Sequence, residues 1–223
     1  MELSSEMTTL TEEPKRIESE RSLKSSWPVF EQEEIDAVKR VLESGRVNYW
    51  TGEEARLFEQ EFAGYIGCKH AVALANGTVA LELALEVFGV GQGDEVVVTP
   101  RSFIASVSCV VTRGAIPVFA DVDINTLCLS VTNIEKVLTA DVKAVLFISA
   151  YGNAEGIDEI QEYCEQKNLI LINDCAAALL GTYKSESIAS YGDFSVLSFF
   201  FLHTSTKHKV HLLLNSSRKI LII

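Results

Sequence analysis

Short, almost wholly apolar runs, separated by amphipathic stretches, set the fold open to this chain. VVV at 96–98, AVLFIS from Ala144 and LILI from Leu169 are apolar where an exposed strand would alternate. Strands of that kind must be covered on both faces. Strands are predicted at His70 to Ala75, Glu95 to Thr99, Ile116 to Val122, Lys143 to Ser149 and Leu169 to Asn173. Between them helical spacing places helices at Thr78 to Phe88, Phe103 to Thr112, Ile134 to Leu138 and Ile157 to Gln166. Strands alternating with helices at this pitch predict an α/β protein, with a mainly parallel sheet flanked by helices.

Two further helices precede the alternation. Ile35, Val38, Val41 and Leu42 recur at helical spacing before Gly45, and Leu57, Phe58 and Phe62 mark a second helix. Acidic residues at Glu31 to Glu34 and at Glu53-Glu54 lie where helix starts favour negative charge. Residues 1–24 are Ser, Thr, Glu and Lys with few large apolar groups, and are expected to form a flexible leader. A large domain, incomplete as it stands, is then expected over 25–201 and a divergent basic tail over 202–223.

Charge narrows the partners. Asp plus Glu number 31 against 19 Lys plus Arg, a formal net charge of −12. Binders of nucleic-acid backbones show the opposite balance, so no nucleic-acid partner is expected. The stretch from Leu202 departs from the rest, with Lys207, Lys209, Arg218 and Lys219 and no acidic residue. His203, His208 and His211 also fall there.

The five cysteines, Cys68, Cys109, Cys128, Cys164 and Cys175, contain no CxxC pair and are odd in number. They read as small buried hydrophobes in a reducing compartment, with no metal site. The polar, glutamate-containing start lacks the features of a secretory signal, and no apolar run approaches the ~20 residues of a membrane span. A cytoplasmic protein with no membrane partner is expected.

In sheets of this kind ligands gather beyond the carboxyl ends of the strands. Four such places stand out: Asn76-Gly77-Thr78, Arg101-Ser102-Phe103, Asp174 after LILIN, and Ser198 after DFSVL. Gly77 and Thr78 turn a strand into a helix, which presents backbone N–H groups and a hydroxyl to an anion such as phosphate. The same residues also suit a tight turn followed by an N-cap. Asp174 is either an N-cap or a charge meant for a cationic or proton-donating ligand. Phe103 is either core or a ring free to stack on a flat cofactor. Gly89 to Gly93 resembles a dinucleotide loop but follows a helix and precedes a strand, the reverse of what pyrophosphate binding needs.

Together these residues resemble the DegT/DnrJ/EryC1/StrS family of sugar aminotransferases. The resemblance rests on six collinear segments between about Trp27 and Phe200: SGRVNYWTGEEARLFEQEFAGYIG, HAVALANGTVALELAL, GVGQGDEVVVTPRSFIAS, GAIPVFADVD, LILINDCAAALLGTYK and YGDFSVLSFF. It implies a type I aminotransferase fold and pyridoxal 5′-phosphate (PLP) as cofactor. It also implies a homodimer whose site draws on both subunits, a nucleotide-linked keto-sugar as substrate and an amino acid such as glutamate as amino donor. By position, Gly77, Thr78 and Ser198 are expected at the cofactor phosphate, Phe103 on the ring face and Asp174 at the pyridinium nitrogen.

Two departures qualify the expected activity. Where the family has a glutamine near the ring hydroxyl, this chain has Ala177. Where the family has its Schiff-base lysine, five residues after the serine of SFF, it has His203, followed by TSTKHKVHLLLNSSRKILII in place of a glycine-rich segment. Lys207 and Lys209 lie too far along to take the same place. The expectation is a truncated or frame-shifted relative, without the small C-terminal domain and impaired in turnover. The alternatives are a PLP-dependent sugar 3-dehydratase with His203 as base, or a non-catalytic remnant.

Overall fold

Residue after residue along the central strand packs to opposite sides. The computed structural model describes residues 30–199 and the backbone of 220–222. Strand β1 is His70–Val72, β2 Glu95–Val98, β3 Ile116–Phe119, β4 Val142–Ile148, β5 Ile170–Asp174, β8 Phe194–Val196 and β9 Ile220–Ile222. They form one seven-stranded sheet in the order β1-β9-β8-β5-β4-β2-β3, every pairing parallel. In β4, Val145 and Phe147 join one core cluster, and Ala144 and Leu146 join the other. Leu171 and Ile172 of β5 divide the same way. Burial on both faces explains why these runs are apolar up to their carboxyl ends.

Helices cover the two faces. On one side lie α2 (Glu54–Ile66), α5 (Val131–Glu135) and α6 (Ile157–Lys167), with Phe62, Ile134 and Ile160 in the core. On the other lie α3 (Gly77–Val87) and α4 (Ala105–Thr112), with Leu81, Leu85 and Cys109 buried against Ile172 and Phe194. Each fully buried side chain of this size contributes about 1.5–3 kcal/mol of transfer free energy. A small antiparallel pair, β6 (Thr182–Tyr183) with β7 (Glu186–Ser187), sits outside the main sheet.

Local chemistry sets the ends of these helices. Helix α1 (Gln32–Ser44) starts with a reciprocal capping box between Glu31 and Glu34 and stops at Gly45, φ 68°. The acidic run is therefore a cap, as its position implies. Yet Ile35, Val38 and Leu42 of α1 stay exposed, and no residue of the helix is buried. Helix α5 begins three residues before the predicted Ile134, because the Ser130 side chain accepts the Asn133 N–H and caps it there. The apolar residues that suggested Ile134 to Leu138 mark its second half and the turn beyond. The predicted strands from His70 and Ile116 are shorter than expected, ending at Val72 and Phe119.

Among the described residues all five cysteines are free, with Cys109, Cys128, Cys164 and Cys175 buried and Cys68 half-buried. No group of His, Cys, Asp and Glu there could hold a metal ion, and no described helix is long and apolar enough to cross a membrane. The Gly89 to Gly93 segment joins α3 to β2, helix to strand, as its position in the sequence implied.

Candidate active site

The four places named from the sequence lie at the carboxyl end of the sheet. Asp174 is the last residue of β5, in register with Val196 of β8, and the Cys175 N–H donates to the Val196 carbonyl at 2.7 Å. Ser198 therefore stands two residues beyond Asp174's partner. Helix α3 reaches the same corner: a Cβ placed on Gly77 would lie 3.6 Å from the Ser198 Cβ and 3.9 Å from Val196 Cγ1. Gly77 and Ser198 thus face each other across one small gap.

Asn76 caps α3. Its backbone is extended, and its side chain accepts the Val79 N–H at 3.0 Å. The first intrahelical bond runs from the Ala80 N–H to the Asn76 carbonyl. The N–H groups of Gly77 and Thr78 come before it, at the positive end of the helix dipole. The cap takes one N–H, that of Val79, and leaves those of Gly77 and Thr78 without a partner inside the helix, as an anion site at a helix tip would require.

Asp174 is 6% exposed. Its Oδ2 accepts the Ser106 hydroxyl at 2.8 Å and its Oδ1 accepts the Ala176 N–H at 3.1 Å. Among the described residues no ion pair reaches it. Burial pushes its carboxyl above the ordinary carboxylate range, while the bonds from Ser106 and Ala176 pull the other way. Burial, and then the Asp174 charge, push the neighbouring Cys109 thiol up to about 12 and raise Cys175 as well. A carboxylate offers about four acceptor positions, and the described residues fill two of these. A buried acid with spare acceptor capacity and no cation fits the protonated nitrogen of a pyridine ring.

Asn173, just before Asp174, anchors this end of β5. Its side-chain amide donates to the Ile188 carbonyl at 2.9 Å and its Oδ1 accepts the Ser149 hydroxyl at 3.2 Å. Phe103 follows β2, is 75% exposed and stands outside the core. Its carbonyl accepts the Ser106 N–H at 3.1 Å, so the turn that carries the ring is tied to the residue that touches Asp174. Ala177 is exposed nearby. His203, Lys207 and Lys209 lie outside the described residues.

Two residues at this end were not singled out from the sequence. Ser106 is one, and its separation of four from Ser102 on a helix start was the available signal. Tyr151 is the other: it is 88% exposed and holds a left-handed backbone, φ 55°, which bulky residues rarely adopt. The Arg101 guanidinium lies 5.6 Å from the Tyr151 ring centroid and donates to the Leu127 carbonyl at 3.3 Å.

Comparison with known proteins follows the same residues. The model of the DegT/DnrJ/EryC1/StrS aminotransferase family matches residues 28–208. The chain is 35% identical over 190 residues to GDP-perosamine synthase of Vibrio cholerae, which covers 85% of this chain and 52% of that protein. It superposes on the aminotransferase from Psychrobacter cryohalolentis with a TM-score of 0.75 and 48% identity, over 78% of this chain and 44% of that one. Spr1654 from Streptococcus pneumoniae in its PMP form aligns with a TM-score of 0.72 and 30% identity, over 77% of this chain and 46% of that one. The chain spans about half the length of the curated relatives it matches.

Proposed function

Because this chain belongs to the DegT/DnrJ/EryC1/StrS aminotransferase family, whose members depend on PLP, we propose that it carries the cofactor-binding part of a site for transfer of an amino group to a nucleotide-linked keto-sugar. The buried Asp174 carboxylate, which no ion pair reaches among the described residues, carries this reading. Its likeness to a GDP-perosamine synthase supports the substrate class. A homodimer belongs to the same reading, by resemblance to the family.

When bound, the cofactor supplies an electron sink for the pair released as a proton leaves the donor carbon. The chain's own residues do the rest. Asp174 holds a proton on the ring nitrogen by offering it a fixed negative charge. Phe103 sets the ring plane, and Gly77, Thr78 and Ser198 hold the phosphate through helix-tip N–H groups and hydroxyls. Along the sequence His203 takes the position of the family's lysine, so on this reading the group is held by contacts alone and the chain does not complete turnover by itself.

Titrating the purified chain with pyridoxamine phosphate, followed by intrinsic fluorescence, tests the reading. Saturable binding is expected, weakened at least tenfold by Asp174→Asn, since a hydrogen bond to a charged group contributes about 1.5–3 kcal/mol. Absence of saturable binding would overturn it. Borohydride reduction after addition of PLP should leave Lys207 and Lys209 unmodified by mass spectrometry; an adduct on either would overturn the non-covalent part.

A further inference from the structure

The turn after β2 and the end of β5 are joined by two serine hydroxyls. Ser106 lies in the first turn of α4 and is 1% exposed. Its Oγ donates to Asp174 Oδ2 at 2.8 Å and also lies 2.8 Å from the Oγ of Ser102. A hydroxyl has one proton. With Ser106's proton on Asp174, the contact between the serines must have Ser102 as donor. The bonds therefore run in one direction, Ser102 to Ser106 to Asp174, and each polarises the next.

Proton bookkeeping also says what this chain of hydroxyls is for. A hydroxyl donating to Asp174 bonds the ionised carboxylate more strongly than the neutral acid, so the arrangement opposes the protonation that burial favours. It also holds Oδ2 on the α4 side, while the Ala176 N–H holds Oδ1. The plane of the carboxylate is then set from two elements. The Ser106 backbone N–H meanwhile holds the Phe103 carbonyl.

We propose that Ser106, supported by Ser102, is a positioning residue that orients the Asp174 carboxylate and keeps it charged for a cationic ring nitrogen, while its backbone fixes the turn bearing Phe103. This rests on the reading of Asp174 as the partner of a protonated pyridine. The chemistry recognised is an aromatic ring with an N–H that carries positive charge.

The test uses isotope-edited NMR of aspartate carboxyl carbons in the full chain without cofactor, with the Asp174 signal identified by its loss in Asp174→Asn. The other described titratable groups that face Asp174 are the Cys109 thiol on α4 and the Cys175 thiol after β5. Both keep their protons across the acidic range in which a carboxylate titrates, so the signal reports the carboxylate. Ser106→Ala should move its titration to higher pH, Ser102→Ala should move it the same way by less, and Ser106→Thr should restore it. Pyridoxamine phosphate affinity should fall about tenfold in Ser106→Ala. An unchanged Asp174 titration in Ser106→Ala would overturn the proposal. Should Ser106→Ala fail to fold, the half-buried Ser102→Ala decides in the same way. Failure of the unaltered chain to bind pyridoxamine phosphate would count against the cofactor reading alone, because the titration is read without cofactor.

Discussion

A side chain on Gly77 would point at Ser198. Its Cβ would come within 3.6 Å of the Ser198 Cβ and 4.0 Å of the Leu197 carbonyl oxygen, ordinary contact distances. The tip of α3 and the end of β8 therefore face each other across a space about one methyl group wide.

Gly77→Ala should fold normally, because nothing there clashes and the backbone is not left-handed. It fills the gap, however, and blocks close approach of a phosphate to the helix tip. Affinity for pyridoxamine phosphate should fall by about tenfold or more, an effect of the size of one charged hydrogen bond, while the melting temperature stays within a few degrees. Calorimetric titration alongside thermal unfolding checks both parts.

Asp174→Asn should trade binding for stability at neutral pH. The folded-state carboxyl titrates above its ordinary 3.8, mainly through burial. The native chain therefore binds more protons than the unfolded one between that value and the raised one, and stability falls as pH rises through this window. Asparagine keeps the shape and an acceptor for Ser106 without the charge. Its melting temperature should exceed that of the unaltered chain at pH 8, and the difference should close below pH 4. Equal melting temperatures at pH 8 would contradict this.

Among the described residues strand β1 joins the main sheet through β9: His70, Ala71 and Val72 pair with Ile220, Leu221 and Ile222, which pair in turn with Phe194, Ser195 and Val196. Removing residues 220–222 should leave β1 without a neighbour. Hydrogen exchange at residues 70–72 should speed up by at least tenfold. Pyridoxamine phosphate binding should weaken, since β1 leads into the Asn76–Gly77 turn. Unchanged exchange there would show that β1 holds without β9.

The cysteines should react unequally. Cys68 alone is half-buried; Cys109, Cys128, Cys164 and Cys175 are buried. A thiol-specific chromogenic reagent should modify one thiol per native chain quickly and five after denaturation. The fast phase should accelerate with rising pH, because burial raises the Cys68 thiol above its ordinary value.

Much of this arrangement could be read along the chain. Asp174 was recognisable because an acid directly after LILIN has to face something other than the core. Gly77 and Thr78 were recognisable because glycine and a hydroxyl residue open a helix just after a strand. The start of α5 was misplaced because the apolar spacing from Ile134 outweighed the Ser130 cap. The pairing of Ile220–Ile222 within the sheet was not foreseen, since a basic stretch with a short apolar end carries no local sign of which strands it will join. Nor does an apolar face on a helix say that it will be covered, as the exposed Ile35, Val38 and Leu42 show.

By itself the sequence determined the order of strands and helices from His70 to Asn173, the two-sided burial of the central strands and the residue types waiting at their carboxyl ends. These follow from periodicity and turn chemistry, which act over a few residues. Only the tertiary structure decided that Ser106 would meet Asp174 and that Gly77 would face Ser198. Those meetings join residues far apart along the chain. They depend on the register of β5 with β8 and on how α3 and α4 pack over the sheet, and no short-range pattern encodes either.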